Sequence, residues 1–408
     1  MPIYSYTYSI PYLVFLMFLF SLMFWEFEQL KKQQNTLYPR ILTIAGFVFF
    51  FGFRGFIYTD WSIYYNVFQE MSTIWDGGLF NLDKLDVADE FITDVSVDKA
   101  GMEMGFIYSI LLFKSIIPNY FAWVLFNVIV DVILLDIFFR RYSKYYVNCF
   151  ILFIVFGGLI IEFNLMRNVK AILLFLISIK YIHSRQIAPF LLLNLIGSYF
   201  HTSALLFFPL YFFLHKEWSP RVLWTIFIVG NILFLLNIRY LETIITFIAD
   251  IIGGRSAVKA KIYFESDLYN KPFGLGIGYI ERIATFGLIM YFRKKLITKD
   301  SYNNIFINAY ILYFIVFFYF AEIMIAIERI SLLFAFSYWI IYPKILNELE
   351  TKLSKAILVF AIIGYCSLKI TTINANIFSK YDNLFFGIES YDKRVQRMDS
   401  YIEMVLEK

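Results

Sequence analysis

Residues 146–182 read YVNCFILFIVFGGLIIEFNLMRNVKAILLFLISIKYI. Two apolar runs, 146–162 and 167–182, flank a short polar patch, EFNLMRNVKA at 162–171. Each run is close to the ~20 residues that an α-helix needs to cross a bilayer core. No charge interrupts the first run between Tyr146 and Glu162. Without water, each run must satisfy its own backbone groups, and a helix does so within the segment. The stretch therefore predicts two membrane-crossing helices with their polar residues gathered at the turn.

The same pattern recurs along the whole chain. It predicts twelve spans, at roughly 8–26, 39–57, 119–139, 146–162, 167–182, 186–200, 202–214, 221–238, 279–294, 304–321, 326–343 and 355–373. Composition agrees: 60% of the 408 residues are apolar, 21% are aromatic, 17% are charged and mean hydropathy is +0.66. Soluble domains carry about 45–50% apolar and about 25% charged residues. The expected fold is all-α, a polytopic membrane bundle in one domain over 1–373. A charged tail, 374–408, is expected to form a surface helix. Residues 103–117 are apolar but short, contain Lys114 and stop at Pro118, so they read as an interfacial or half-crossing helix. The start of the chain lacks a basic region and a small-residue cleavage site and reads as a first span.

Lys and Arg in the connections set the expected orientation. Lys31, Lys32 and Arg40, then Arg140, Arg141 and Lys144, then Arg293, Lys294 and Lys295, all belong inside if 103–117 does not cross. The long segment 58–118, rich in acids from Asp60 to Asp98, and the segment 239–278 are then outside.

Several function classes are excluded at this level. There is no phosphate-binding P-loop, no H-E-x-x-H and no basic tract with interleaved aromatics. Cys149 and Cys366 sit in apolar runs and read as packing residues. The three histidines show no metal-ligand spacing, so neither metal nor cofactor is expected.

Ionisable side chains within spans are costly and call for a reason. Arg54, Asp60 and Tyr64 lie in FFGFRGFIYTDWSIYY, Glu103 opens EMGFIYSILL, and Glu162, Arg167 and Lys170 lie in the 162–171 patch. His201 sits in SYFHTSALLFFPLY, Glu281 and Arg282 open a span, Glu322 ends one, and Glu328 and Arg329 begin AIERISLLF. All map to the outer ends of spans, whereas the inner basic residues stand in loops. That asymmetry predicts a polar cavity opening outward. Arginines there suit an anionic group, because guanidinium presents a rigid fork of donors to phosphate oxygens. Each residue also has a plain structural reading. Arg54 and Asp60 would form an ion pair, Arg167 would snorkel to headgroups, His201 would be a hydrogen-bonded core residue, and Glu103 would cap its helix.

Taken in order, these motifs resemble those of bacterial O-antigen and exopolysaccharide polymerases of the Wzy type, in the EpsG-like branch. The matching features are R-x5-D-x3-Y (Arg54, Asp60, Tyr64), E-x-G-F (Glu103, Gly105, Phe106), N-x2-R-x3-A (Asn164, Arg167, Ala171), F-H-x-S-A-L (Phe200 to Leu205) and E-R-I-S (Glu328 to Ser331). Asn168 stands where Gln is expected, and Met104 where Pro is common.

The resemblance implies a fold like that of lipid-dependent GT-C glycosyltransferases in a bacterial cytoplasmic membrane. It implies a donor glycan and an acceptor repeat unit, each on undecaprenyl pyrophosphate, joined on the outer face, and a separate chain-length-regulating co-polymerase. Within it, Asp60, Glu103 and His201 are the candidate bases. Arg54, Arg167, Arg282, Glu328, Arg329 and Tyr64 are the candidate pyrophosphate- and substrate-binding residues. A lipid-linked glycan flippase, an O-antigen ligase and a membrane acyltransferase are the competing readings.

Overall fold

A computed structural model describes residues 3–77, 102–252, 275–323, 327 and 329–406. Among these the chain is helical, with only the isolated bridges Tyr4–Asn376, Arg54–Asn383 and Asn383–Gly387 in place of strands. Four helical segments are long and apolar enough to cross a membrane: Tyr6–Lys31, Tyr120–Tyr142, Tyr146–Phe163 and Lys352–Ile373. Shorter apolar helices follow the other expected runs, among them Leu37–Gly52, Ile187–Phe200, Pro220–Leu235 and Asn303–Tyr319.

The chain divides into two compact units, Met1–Tyr211 with Thr351–Lys408, and Phe212–Glu350. Residues 374–408, expected as a charged tail, group with the first of these units.

In the first unit α1 (Ile10–Lys31) and α2 (Leu37–Phe47, continued by a π turn at Val48–Gly52) lead to α3 (Trp61–Glu70). After α4 (Met104–Ile116), Ile117 turns extended, as a residue before proline must. Asn119 then caps α5 (Tyr120–Tyr142) by accepting the Ala122 N–H. At 13 residues α4 is about 20 Å long, short of a hydrocarbon core. Its Lys114 ammonium donates to the carbonyls of Phe68, Gln69 and Met71 at 2.7, 2.9 and 2.6 Å, satisfying the end of α3.

The quoted hairpin is less regular than its sequence suggests. The first run forms α6 (Tyr146–Phe153) and α7 (Leu159–Phe163), joined by a π turn whose Phe156 and Gly157 leave helical geometry, Gly157 with φ of 108°. After a short turn, α8 (Met166–His183) and α9 (Ile187–Phe200) follow. The π turn after α2, with α5, α8 and α9, forms the packed body of this unit.

In the second unit α10 (Pro220–Leu235), α11 (Leu241–Ile252), α12 (Ile277–Lys299), α13 (Asn303–Tyr319) and α14 (Phe336–Glu348) follow one another, and α10, α12 and α14 pack on the buried aromatics of α13. The chain returns to the first unit with α15 (Lys352–Ile373), which packs on α1, and α16 (Tyr391–Leu406).

One expectation about charge needs correcting. Buried charge is not confined to the end read as outer. At the basic end Arg40 holds Asp136 with two bonds, 2.7 and 2.8 Å, and buried Glu26 accepts the N–H groups of Tyr146 and Val147 at the start of α6. Both carboxylates serve as ties between helices, which local hydropathy does not distinguish from loop charge.

Candidate active site

The loop between the π turn and α3 carries Arg54, Asp60 and, one turn into the helix, Tyr64. It is fixed from two sides. The tail supplies main-chain bonds: Gly55 N–H to Asp382 O (2.9 Å), Tyr58 N–H to Phe378 O (2.9 Å) and Leu384 N–H to Phe53 O (2.8 Å). A Cβ at Gly55 would lie 2.9 Å from both Asp382 Cβ and Ile388 Cγ2, so the tail approaches this closely only over a glycine. On the other side stands Asn164. Its Oδ1 accepts the Thr59 and Asp60 N–H groups at 3.0 and 3.3 Å, its Nδ2 donates to Thr59 Oγ1, and its main-chain O accepts the Tyr64 hydroxyl at 2.9 Å. Asn164 thus ties the loop and the start of α3 to the turn before α8.

That turn also sets the arginines. Arg54 is 5% exposed, and its Nη1 donates to the Glu162 main-chain O at 2.6 Å while the guanidinium lies 5.1 Å from the Phe163 ring centroid. Arg167, on the first turn of α8, donates to Glu103 Oε2 at 2.9 Å. It is also a hydrogen-bonding neighbour of Tyr64 and lies within electrostatic reach of Asp60.

Glu103 occupies the N-cap position of α4 yet makes no capping bond. Its second oxygen instead accepts the Thr202 N–H at 2.8 Å. The E-x-G-F spacing has a physical reason. A Cβ at Gly105 would lie 2.6 Å from Tyr199 O, so glycine lets the first turn of α4 press against the end of α9 and brings Glu103 to Arg167 and Thr202.

His201 completes the group through Ser203. The Ser203 N–H points to Nδ1 at 3.1 Å, and the Ser203 hydroxyl is 2.8 Å from Nδ1 and donates to Asn168 Oδ1 at 2.7 Å. With Nδ1 accepting a backbone N–H, the neutral ring carries its proton on Nε2.

Of the expected residues, Asp60, Tyr64 and Glu103 therefore each meet Arg167, while Arg54 reaches the same turn through the Glu162 main chain and His201 through Ser203 and Asn168, all within the first unit. The others are not described with them. Arg282 belongs to the second unit, where its Nη1 donates to Gly278 O at 2.6 Å, its Nη2 to Tyr313 Oη at 2.9 Å, and its guanidinium lies 3.6 Å from the Phe317 ring centroid. Arg329, also in that unit, is exposed. Glu328 lies outside the described residues, as do the loop acids Asp83 to Asp98.

Two contributors escape sequence reasoning. Asn164 was quoted only as part of a motif, yet it is the hub of the loop. Asp131, midway along α5 and 2% exposed, accepts from Lys170 Nζ at 2.6 and 2.5 Å. Asp131 and Lys170, with Glu162, whose Oε1 is buried without a hydrogen-bond partner among the described residues, form a group of buried ionisable side chains within electrostatic reach of Arg54. The signal for Asp131 was present, since an acid in the middle of an apolar run requires a partner.

No curated protein and no solved structure matches the chain. A model of one family, described as the EpsG family, matches residues 37–383, a stretch that includes every motif residue from Arg54 to Arg329. Since that match spans most of the chain, the protein belongs to the EpsG family.

Proposed function

We propose that this EpsG-family protein is a membrane glycosyltransferase that polymerises a surface polysaccharide. The observation that carries the reading is the Arg167–Glu103 pair set beside Asp60 and Tyr64, on a chain with four membrane-length helices. The donor is a growing glycan on undecaprenyl pyrophosphate, and the acceptor is one repeat unit on the same carrier. The acceptor hydroxyl oxygen attacks the anomeric carbon. The bond from that carbon to the pyrophosphate oxygen breaks, and its electron pair leaves with undecaprenyl pyrophosphate. The hydroxyl proton passes to a carboxylate.

The contacts assign different tasks to the candidates. Glu103 is already engaged by a guanidinium and a backbone N–H, which suits it to hold Arg167 in place. The His201 tautomer donates at Nε2, which suits it to bind an oxygen better than to take a proton. Asp60 is then the preferred base. Arg167, 23% exposed at its side chain, is the group placed to meet developing phosphate charge, and preorganised charge of this kind supplies a large part of catalysis. Arg54 is buried against main chain and ring, so it acts by shaping the turn. We place the site on the outer face on the distribution of loop charge; the bundle of about twelve spans is the hydropathy reading, and its GT-C-like form is what the resemblance to Wzy-type polymerases implies.

The broken helix at Ile154–Gly158 and the mid-span Lys170–Asp131 pair favour a second reading, a transporter of lipid-linked glycans. One experiment separates them. Arg167→Ala and Arg167→Lys are expressed in cells lacking the native copy, and surface glycan is run on a gel beside membrane levels of each variant. The polymerase reading expects the ladder to collapse to a single repeat at unchanged protein level. Loss of even the single-repeat band supports the transporter. An untouched ladder removes Arg167 from the chemistry.

A further inference from the structure

The segment after α10 was expected only as a loop at 239–278. Its described part contains α11, Leu241–Ile252, whose surface divides into three sectors. Successive residues on an α-helix turn by about 100°. Ile244, Phe247, Ile248 and Ile251 fall on one stripe and are 48, 66, 48 and 69% exposed. Leu241, Ile245 and Ala249 fall on a second; Leu241 and Ala249 are buried. Glu242, Thr243 and Thr246 fall on a third. The centres of these sectors stand roughly 110–140° apart. A helix lying on the surface of a soluble protein needs only two faces, one packed and one polar. Three sectors, with the exposed apolar one turned away from both the packed and the polar ones, fit a helix that meets protein, water and a third medium at once.

The tethers fix where that medium lies. The N-terminus of α11 is held by Glu322, three residues past the end of α13. Its Oε1 accepts the Tyr240 and Leu241 N–H groups at 2.8 and 2.9 Å, and its Oε2 accepts the Glu242 N–H at 2.9 Å. Tyr240 also donates its hydroxyl to Tyr319 O at 2.6 Å, at the last residue of α13. On the other side, α11 starts six residues after α10 ends. The helix is therefore pinned where two apolar helices terminate. α10 carries an exposed apolar surface of its own, formed by Ile228, Val229, Ile232 and Leu235, with exposed Leu236 just past its end.

We infer that α11 lies in the plane of the bilayer interface, with Ile244, Phe247, Ile248 and Ile251 in the upper acyl region and Glu242 and Thr243 toward water. Interfacial helices sink their apolar face about 5–10 Å into the headgroup boundary. The occupant of the stripe is lipid. Glu322 sets the depth, since its carboxylate anchors the first turn to the end of α13. The inference rests on the membrane reading of α10 and α13, and not on which reaction the protein performs.

The test uses the full chain in phosphatidylcholine–phosphatidylglycerol vesicles. Phe247→Cys, Ile251→Cys and Thr243→Cys are each labelled with an environment-sensitive fluorophore; the native Cys149 and Cys366 are buried. Phe360→Cys on α15, 66% exposed, is the control for a spanning helix. Quenching by aqueous iodide is compared with quenching by lipids labelled at carbon 5 or carbon 16. The expected result at 247 and 251 is several-fold stronger quenching by the carbon-5 lipid than by iodide or by the carbon-16 lipid, with the order reversed in favour of iodide at 243. Iodide quenching at 247 and 251 overturns the inference, as does protection from all three quenchers, which would mean a protein surface covers the stripe. Dominant carbon-16 quenching there also overturns it, by making α11 a crossing helix. Failure of the Phe360→Cys control to meet the carbon-16 lipid would instead overturn the membrane reading itself.

Discussion

Arg167 Nη1 lies 2.9 Å from Glu103 Oε2, and the other oxygen of that carboxylate accepts the Thr202 N–H at 2.8 Å. One carboxylate thus joins the starts of three segments: α4, α8 and the turn after α9. The arginine proposed to meet phosphate is held before any substrate arrives, and such preorganisation spares the reaction the cost of reorienting it.

Glu103→Gln keeps the shape of this junction and removes its charge. Charge-assisted bonds are worth about 1.5–3 kcal/mol. We expect membrane levels near those of the unaltered protein and a glycan ladder shortened by about tenfold or more in amount, about 1.4 kcal/mol by the rate relation. Ladder density against immunoblot signal checks this. An unchanged ladder would separate Glu103 from Arg167's role.

Asp60→Asn tests the base. General-base catalysis contributes about 10²–10⁴-fold. In-membrane polymerisation should fall by that order, while His201→Gln, which keeps a donor, should fall far less. A larger loss for His201→Gln would reverse the assignment.

Lys170→Met and Asp131→Leu each leave one charge buried without its partner. Breaking a buried pair from one side costs about 3–5 kcal/mol, whereas replacing both members is often near neutral. The single variants should lower the unfolding temperature of detergent-extracted protein, and the double variant should recover most of it. A double variant whose loss equals the sum of the two single losses would mean that the pair does not couple.

Gly55→Ala places a methyl 2.9 Å from Asp382 Cβ and Ile388 Cγ2. Overpacking of this kind costs about 1–3 kcal/mol. The tail should become more accessible to limited proteolysis, and the ladder should weaken with it. A variant with native protease resistance would show that the tail can shift without loss.

The positions of the helices were legible because hydropathy is a local property, and every expected span meets helix in the described residues. The internal form of the 146–162 run was not. Its GG pair at 157–158 marks a break, but only tertiary packing decides whether two glycines bend a helix or sit within it. The candidate site was legible as a list of charges. Its wiring was not, because Asn164, a neutral residue in a charged motif, does the joining through side-chain and main-chain bonds to residues about a hundred positions away. The attachment of the tail was not legible for a similar reason. Balanced charge suggests a solvated helix, and nothing periodic in 374–408 reveals that Asp382 and Phe378 meet residues 55 and 58.

The bonds from Asp382, Phe378 and Leu384 to the Arg54 loop also impose an order in time. The ribosome delivers that loop early, with the second helix, and delivers its clamp only after residue 384. Through nearly all of synthesis the candidate site of the first unit stands unlatched. A chain interrupted before residue 378 would carry all the helices through α15, yet leave the loop of the candidate site without any of these bonds.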